Sequence, residues 1–206
     1  MIETRRAPGD AKSPEDTRER MLLAAREVIG RKGKRGATTR EIAEVAGVNE
    51  ATLFRHFRTK EALIVAVAQH FCGLDVLRGM VAQLHGAIEE DLLALGCAML
   101  ARMDSQMDMI RWSLVEMDYE EASIFAETAW RPQLAILAVV EEFMQRRIDG
   151  GEIAGDSKKL AHVFMGLAFM HGLARKKFPK SELYIGSDEA AVAFYVDVFL
   201  NGVRSR

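Results

Sequence analysis

Residues 38–63 read TTREIAEVAGVNEATLFRHFRTKEAL and contain the most specific pattern in the chain. Thr38 is a residue type that caps helices, and Glu41 stands three positions later as a capping-box partner. Apolar residues follow at helical spacing, Gly47 is placed to close this short helix, and Asn49 to cap the next one. Two short helices joined by a tight, glycine-containing turn predict a helix-turn-helix.

The helix-turn-helix pattern predicts contact with double-stranded DNA. In such a motif the first helix crosses the phosphate backbone and the second enters the major groove, so their shared buried face must be small and apolar. That face is supplied by Ile42, Ala43, Val48 and Leu53. The outward positions of the second helix can hydrogen-bond a base, contact a thymine methyl or meet a phosphate. These positions are Glu50, Ala51, Thr52, Arg55 and His56.

Over about residues 18–65 the chain resembles the DNA-binding segment of the tetracycline-repressor (TetR) family, on the stretch quoted above. The resemblance implies that Thr39 and Arg40 touch phosphate or a guanine edge. It also implies that Lys60, at the start of a fourth helix, holds a phosphate. The complete set of predicted DNA-binding residues is Thr39, Arg40, Asn49, Glu50, Ala51, Thr52, Phe54, Arg55, His56 and Lys60.

Two positions of the reading helix are informative by themselves. Members of the family often carry tyrosine where this chain has Phe54, so a hydroxyl that meets phosphate is missing here. Glu50 can accept a hydrogen bond from a cytosine amino group and is repelled by phosphates, so it favours specificity over affinity. Taken singly, Arg40 or Lys60 is equally consistent with a solvated surface charge, and His56 with a capping or core histidine. The DNA-binding interpretation depends on the whole signature.

The charge distribution agrees with a DNA-binding head. Residues 1–60 contain 14 Lys and Arg against 9 Asp and Glu, whereas residues 61–206 contain 14 against 21. The overall net charge of −2 therefore conceals a basic head on an acidic body. Such a protein presents one end to a polyanion.

The predicted fold class is all-α. A disordered arm at 1–12 precedes a three-helix DNA-binding domain with the helix-turn-helix at 13–62, and a larger C-terminal helical domain for ligand binding and dimerisation occupies 63–206. Ser13 is expected to cap the first helix, with Pro14 in its first turn and Asp16 answering the cap, and Gly33 and Gly36 to end it. Helices of the second domain are predicted at about 75–84, 87–103, 105–117, 121–149, 156–177 and 188–202.

Methionine is dense between residues 87 and 117, and this density allows two interpretations. The simpler one is a bundle core filled with flexible side chains, and the other is a cavity between helices for a small apolar or amphipathic ligand. The family resemblance supports the cavity. The predicted lining residues are Met99, Met103, Met107, Trp112, Glu116, Phe125, Trp130 and Phe169.

The last two predicted helices have the composition of a dimer surface. Small residues among large apolar ones permit close helix approach, and the final helix has more apolar residues than one buried stripe needs. The predicted interface contains Phe164, Gly166, Phe169, Gly172, Phe194, Val198 and Phe199. In the TetR family the two C-terminal helices of each subunit pair as a four-helix bundle. The resemblance therefore implies a homodimer and a palindromic operator.

Catalytic and metal signatures are missing from the sequence. There is no glycine-rich phosphate loop, no Gly-x-Ser-x-Gly and no His-Glu-x-x-His, and the five histidines lack ligand spacing, so no cofactor, no metal and no enzyme is predicted. No apolar run of about 18 residues stands out, so no membrane partner is predicted. Cys72 and Cys97 have no metal spacing, and they are interpreted as buried thiols in a reducing cytoplasm in preference to a disulfide. The predicted function is a transcriptional repressor released by a ligand. A ligand-independent architectural DNA-binding protein and a helical enzyme stay as alternatives.

Overall fold

The computed structural model describes residues 13–115, 131–177 and 186–203, and these contain helices and no strand, which confirms the all-α prediction. The described chain forms two compact units, one up to His70 and one from Phe71 onward. The predicted arm at 1–12 lies outside the described residues.

The first unit contains four helices. They are α1 (Pro14–Gly36), α2 (Thr39–Ala46), α3 (Glu50–Phe57) and α4 (Lys60–Phe71). α1 starts as predicted, because Ser13 Oγ accepts from the Asp16 N–H at 3.0 Å and the Asp16 carboxylate accepts from the Ser13 N–H at 3.0 Å. Gly33 has φ 69° and interrupts α1 without ending it, so the helix ends at Gly36.

The core of the first unit is formed by α1 together with the three helices that follow it. α1 buries a helical stripe of Met21, Leu22, Ala25, Val28 and Ile29, and α4 buries Leu63, Ile64, Val67 and Ala68. His70 Nε2 lies 2.8 Å from Glu19 Oε2, which ties the end of α4 to α1. The first unit therefore continues to His70, past the domain boundary predicted at residue 62.

The described part of the second unit contains five helices. They are α5 (Leu74–Val81), α6 (Ile88–Val115), α7 (Arg131–Asp149), α8 (Ser157–Lys177) and α9 (Asp188–Val203). The predicted break at residue 104 is wrong, since α6 runs through it. Ser105 Oγ donates to the Arg102 carbonyl at 2.8 Å, and the Asp104 carboxylate accepts from Arg175 of α8 at 2.8 Å, so these polar residues are accommodated within the helix. Residues 116–117 and 121–130 of the predicted helices lie outside the described residues.

The core of the second unit packs α6 against α7, α8 and α9. Leu92, Leu95 and Leu100 of α6 are buried with apolar side chains of the other helices. α9 approaches α6 closely at Gly96, where a Cβ would lie only 2.5 Å from Cγ1 of Val192. A hydrogen in place of a side chain is therefore what permits this approach.

One buried ion pair lies within this core. Arg147 of α7 and Asp91 of α6 are each 7% exposed, and their side chains form a salt bridge. Arg147 Nη1 also donates to the Gly86 carbonyl at 3.0 Å and to Glu152 Oε1 at 2.9 Å. The guanidinium thus joins α6 and α7 to the α5–α6 connection and satisfies polar groups that would otherwise be buried without partners.

One segment of the described chain, Lys60–Val81, is long and apolar enough for a membrane span by length and composition alone, contrary to expectation. Its apolar residues include Leu63, Ile64 and Leu77, which are buried in the two units. α4 ends at Phe71, and Gly73 with φ 70° separates it from α5. Length and composition are weak evidence for a span, and Gly73 breaks this segment between α4 and α5.

Candidate nucleic-acid interface

The turn between α2 and α3 is built around Gly47. Gly47 has φ 65° and ψ 39°, its N–H donates to the carbonyls of Ala43 and Glu44, and the Val48 N–H donates to Ala43 at 3.0 Å. A Cβ on Gly47 would have Arg20 Nη1 3.6 Å away, an ordinary contact. The left-handed backbone, and not a lack of space, is therefore what favours glycine here.

The face shared by the two short helices is small and apolar, as predicted. Ile42 and Leu53 are fully buried, and Ala43 is 2% exposed. Val48 is half-buried in the turn. Phe57 at the end of α3 is 5% exposed and lies under the guanidinium of Arg18, whose Cζ is 5.2 Å from the ring centroid. This packing holds α3 against the rest of the unit and leaves its other face to solvent.

Side-chain caps stand at the starts of α2, α3 and α4. Thr38 Oγ1 accepts from the Glu41 N–H at 3.2 Å, and Asn49 Oδ1 accepts from the Thr52 N–H at 2.7 Å, as predicted. Thr59 Oγ1 accepts from the Ala62 N–H at 3.0 Å. Thr59 was not predicted as a cap, although a threonine immediately before Lys60 is the signal that identifies one.

The Glu41 side chain differs from its predicted role as a capping-box partner. Its carboxylate lies 2.7 Å from Lys32 Nζ and 3.6 Å from Arg31 Nη2, both at the end of α1. The two cations compete with the backbone N–H of Thr38 for the Glu41 carboxylate. Glu41 therefore joins α2 to α1 through ion pairs.

The predicted DNA-binding residues divide into an exposed and a half-buried set. Arg40, Asn49, Ala51, Phe54 and Arg55 are exposed, whereas Thr39, Glu50, Thr52, His56 and Lys60 are half-buried. Phe54 keeps 40% of its surface accessible, a large aromatic area on the outer side of α3. All ten lie on α2, on α3 and its cap, or in the first turn of α4.

Several of these side chains are hydrogen-bonded to one another. Thr39 Oγ1 donates to Glu50 Oε1, which links the first residue of α2 to the first residue of α3. Thr52 Oγ1 donates to Asn49 Oδ1 at 2.8 Å in addition to the cap bond from its N–H. The starts of the two helices are thus held in fixed positions by their own polar side chains.

Arg58 follows α3 directly and was not among the predicted DNA-binding residues. It is exposed and has φ 56°, the one positive φ among the described residues other than glycine. Its N–H donates to the Phe54 carbonyl at 2.8 Å. No local sequence signal predicts this conformation, because arginine disfavours the left-handed region.

A family model described as bacterial regulatory proteins of the tetR family matches residues 21–67. YvkB of Bacillus subtilis, named an uncharacterized HTH-type transcriptional regulator, is 33% identical over 162 residues, which are 77% of this chain and 82% of YvkB. The chain belongs to the TetR family. It is accordingly a helix-turn-helix transcriptional regulator, and its family is not an enzyme family.

Other similar proteins agree with membership of the TetR family. The transcriptional repressor KstR2 of Mycolicibacterium smegmatis is 32% identical over 78 residues, 38% of this chain and 37% of that protein. A TetR-family regulator from Mesorhizobium loti has the same fold, with a TM-score of 0.78 at 19% identity, covering 93% of this chain and 98% of that one. The flavonoid-responsive regulator FrrA superposes with a TM-score of 0.72 at 20% identity, covering 93% and 99%.

The ligand-lining residues predicted for this TetR-family chain are only partly described. Met99 and Met103 are buried at 5% and 4% exposure, and Met107 and Phe169 are half-buried. Met103 Sδ lies 2.7 Å from where a Cβ on Gly172 would be, so it fills the space beside that glycine. The side chain of Trp112, and Glu116, Phe125 and Trp130 altogether, lie outside what the structure describes.

A cavity of about 320 Å³ in the second unit is lined by none of the predicted ligand residues. It lies between the start of α6 and the end of α9, with carboxylates and apolar side chains in its wall. Its lining residues are Glu89, Glu90, Leu93, Ala193, Val196, Asp197, Leu200 and Asn201.

The residues predicted to form the dimer interface also separate into two groups. Phe164 and Phe199 are buried and contact each other within the chain, with ring centroids 5.5 Å apart, and Gly172 is buried against Met103. These three are enclosed by the core of their own unit. Phe194 and Val198 are 54% and 52% exposed, Gly166 is exposed and Phe169 half-buried, so these four are accessible.

Proposed function

We propose that this TetR-family regulator is a repressor that binds a palindromic operator as a homodimer and leaves it when a small apolar or amphipathic molecule binds the second unit. The observation that carries the proposal is the capped helix-turn-helix, in which Arg40 and Arg55 are exposed. A motif of this kind positions its first helix across the backbone and its second in the major groove.

Phosphate binding is supported by the starts of α2, α3 and α4. The caps occupy one N–H in each first turn, and the remaining first-turn N–H groups, together with the helix dipole, attract an anion. Arg40 adds a positive charge in the first turn of α2, and Lys60 does so in α4. We therefore assign these two residues to phosphate and the outer face of α3 to bases.

Homodimer formation is supported by apolar side chains that α8 and α9 leave in solvent. Val163 and Met170 of α8 are 55% and 61% exposed, and Phe194 and Val198 of α9 are more than half exposed. Exposed apolar surface of this kind marks an interface. Pairing of two copies through α8 and α9 gives two reading helices and hence a palindromic operator, with half-sites about 34–36 Å apart.

Release by a ligand requires a change at the start of the second unit, directly after α4, and Arg102 of α6 is bound there. Its Nη1 donates to the Cys72 carbonyl, directly after α4, at 3.0 Å, and its Nη2 donates to Gln133 Oε1 of α7 at 3.0 Å. Burial lowers the pKa of the Arg102 guanidinium, so the contact holds a partly desolvated charge. A molecule that separates α6 from α7 would move Arg102, and it acts as an inducer only if it binds the DNA-free form more tightly.

A ligand-independent architectural DNA-binding protein is the second candidate function. It is favoured by the filling of the methionine-rich core, where Met99 and Met103 are buried and Met103 occupies the space at Gly172. The two functions differ in their response to small molecules. A compound that raises the melting temperature of the protein and weakens operator binding supports the repressor. If no compound in a broad panel of apolar and amphipathic molecules has both effects, the architectural protein is favoured. Either protein would act in the cytoplasm, where bacterial DNA lies.

Selection of genomic fragments by the purified protein, followed by titration at several salt concentrations, tests the proposal. We expect a palindromic site bound in the nanomolar range, with an affinity that falls steeply as salt rises. Arg40→Ala should lower the slope of log affinity against log salt by about one for each half-site. Arg78→Ala, which removes an exposed arginine from α5, is the matched control and should leave the slope unchanged. A wild-type protein that selects no fragment over random duplex contradicts the proposed function.

A further inference from the structure

The hydrogen bond between Thr39 and Glu50 joins two residues that belong to different parts of a DNA complex. Thr39 is the first residue of α2, and Glu50 is the first residue of α3. Thr39 Oγ1 donates to Glu50 Oε1 across eleven positions of the sequence, and both residues are half-buried. The bond therefore connects the helix that crosses the phosphate backbone with the helix that reads bases.

Both ends of this hydrogen bond are rigidly supported. Thr38 caps α2 immediately before Thr39, and Asn49 caps α3 immediately before Glu50. Threonine is β-branched and has few side-chain rotamers, so its hydroxyl is a donor in a fixed position. A free glutamate, in contrast, loses considerable rotamer freedom when it is ordered at an interface. The Thr39 hydroxyl therefore removes part of that entropy cost before DNA binds.

The carboxylate of Glu50 keeps acceptor capacity after it binds Thr39. An ionised carboxylate has two oxygens with about four acceptor positions, and Thr39 contacts Oε1. Within the described residues the Glu50 carboxylate has no other hydrogen bond. In the major groove the donor complementary to a carboxylate is the N4 amino group of cytosine.

We propose that Thr39 is a positioning residue that holds Glu50 for the recognition of cytosine at one position of each operator half-site. The inference rests on the proposed function and goes beyond it, since it names a base and a second residue on which its recognition depends. Glu50 accepts from the cytosine amino group, and Thr39 acts through Glu50 and not through that base.

The test measures relative affinities for all four bases at each position of the operator selected by the wild-type protein. For the wild type we expect one position per half-site at which cytosine is preferred by about tenfold or more. Glu50→Gln should change the preferred base at that position to adenine, because an amide pairs with the N6 and N7 edge of adenine. Unchanged preferences at every position in Glu50→Gln would overturn the assignment.

Two substitutions at Thr39 separate positioning from other roles. Thr39→Val removes the hydroxyl and keeps the shape of the side chain. It should reduce the cytosine preference about fivefold, because ordering a free glutamate side chain at an interface weakens binding by about this factor. The affinity ratios at other positions should stay unchanged. Thr39→Ser keeps the donor and should retain most of the preference. Circular dichroism melting confirms that each variant is folded.

The possible outcomes distinguish this inference from the proposed function. If Thr39→Val weakens binding equally at all positions and on random duplex, Thr39 serves phosphate contact or folding only, and the positioning role is wrong. If Thr39→Val keeps the wild-type preference for cytosine over the other bases, the positioning role of Thr39 is also wrong. If the wild type selects no operator, the proposed function itself fails, and this inference fails with it.

Discussion

Arg147 and Asp91 form a buried charge pair, so removal of either side chain alone leaves the other one buried without its partner. Arg147→Met keeps the length of the side chain but leaves the Asp91 carboxylate and the Gly86 carbonyl without their donor. We expect the free energy of unfolding to fall by about 3–5 kcal/mol, which is the usual effect of leaving a buried charge uncompensated. Urea denaturation followed by circular dichroism measures it.

Glu152→Gln is the control for this substitution. Glu152 accepts from the same guanidinium, but its side chain is 37% exposed, and an amide oxygen still accepts from Arg147. We expect a loss below about 1 kcal/mol. Equal losses in both variants would show that burial of Asp91 is not what makes the pair sensitive.

Cys97 of α6 is a thiol whose protonated form the fold favours. Its pKa is raised by burial and then by the carboxylates of Glu189 and Asp188. In a Cys72→Ser background, the rate of alkylation of Cys97 should therefore reach its midpoint at a higher pH in the folded chain than in urea. Glu189→Gln should lower the folded midpoint, and a folded midpoint at or below the unfolded one would contradict the prediction.

The raised pKa of Cys97 also fixes the sign of its effect on stability. The folded chain binds this proton more tightly than the unfolded chain does. The contribution of this proton to the free energy of unfolding is therefore fully present below the pKa of the unfolded thiol, and it is lost as the pH rises through the pKa of the folded thiol.

At the residue scale, local signals were predicted and distant partners were not. The caps Ser13, Thr38 and Asn49 were predicted because each bond spans three positions of the chain. The bond between Thr39 and Glu50 was missed because its partners are eleven positions apart. Only the packing of α2 on α3 brings them together, and capping patterns carry no information about that packing.

At the scale of elements, the contact of α6 with α9 depends on a glycine. Gly96→Ala would place a Cβ 2.5 Å from Cγ1 of Val192, a stiff β-branched side chain, with Phe164 Cζ 3.5 Å away. We expect a loss of stability of about 1–3 kcal/mol from overpacking. Urea unfolding of the variant and the wild type gives this difference.

Gly79→Ala provides the comparison for Gly96→Ala. Gly79 lies in α5, is exposed, and a Cβ there would meet nothing within 4 Å. Alanine at such a helical position should stabilise the protein by about 0.5–1 kcal/mol. If both alanine variants change stability in the same direction, helix propensity outweighs packing at Gly96 and the prediction is wrong.

The continuity of α6 was the main error among the predicted elements. A break was predicted at Asp104, but Arg175 of α8 binds the Asp104 carboxylate, and Ser105 bonds within the helix. The helices later predicted at 156–177 and 188–202 agree with α8 and α9 to within one residue. Apolar periodicity predicted the bounds of a helix where turn signals flank its ends. It did not predict the continuity of α6, because Asp104 has its partner on another helix.

At the scale of the whole molecule, the exposed apolar residues of α9 give a prediction about assembly. Phe194→Glu combined with Val198→Glu places two charges one turn apart on the proposed dimer surface. We expect the sedimentation coefficient to change from that of a dimer to that of a monomer. Operator affinity should then fall by about 100-fold or more, because the two half-sites are no longer bound together.

Val76→Glu tests whether any added charge has the same effect. Val76 of α5 is 80% exposed, more than either interface residue, and it lies outside the proposed dimer surface. This variant should sediment and bind as the wild type does. A dimer that survives both charges on α9 would show that the subunits pair through another surface.

The predicted interface shows what sequence patterns cannot separate at this scale. Phe164, Gly172 and Phe199 have the mixture of small and large residues that suits close helix packing, and they are packed closely, but within one chain. The same composition serves contacts inside a subunit and between subunits. Only burial in the folded unit distinguishes Phe199 from its neighbour Val198.

The caps of the first unit have a consequence for the order of events during synthesis. Each of α1 to α4 starts with a side chain that bonds to an N–H three residues later, from Ser13, Thr38, Asn49 and Thr59. Contacts of such low sequence separation form rapidly and need nothing from later parts of the chain. We expect this unit to fold on the ribosome before the second unit is complete. A nascent or truncated chain would then already contain a folded DNA-binding unit without the second unit, which we propose binds the ligand.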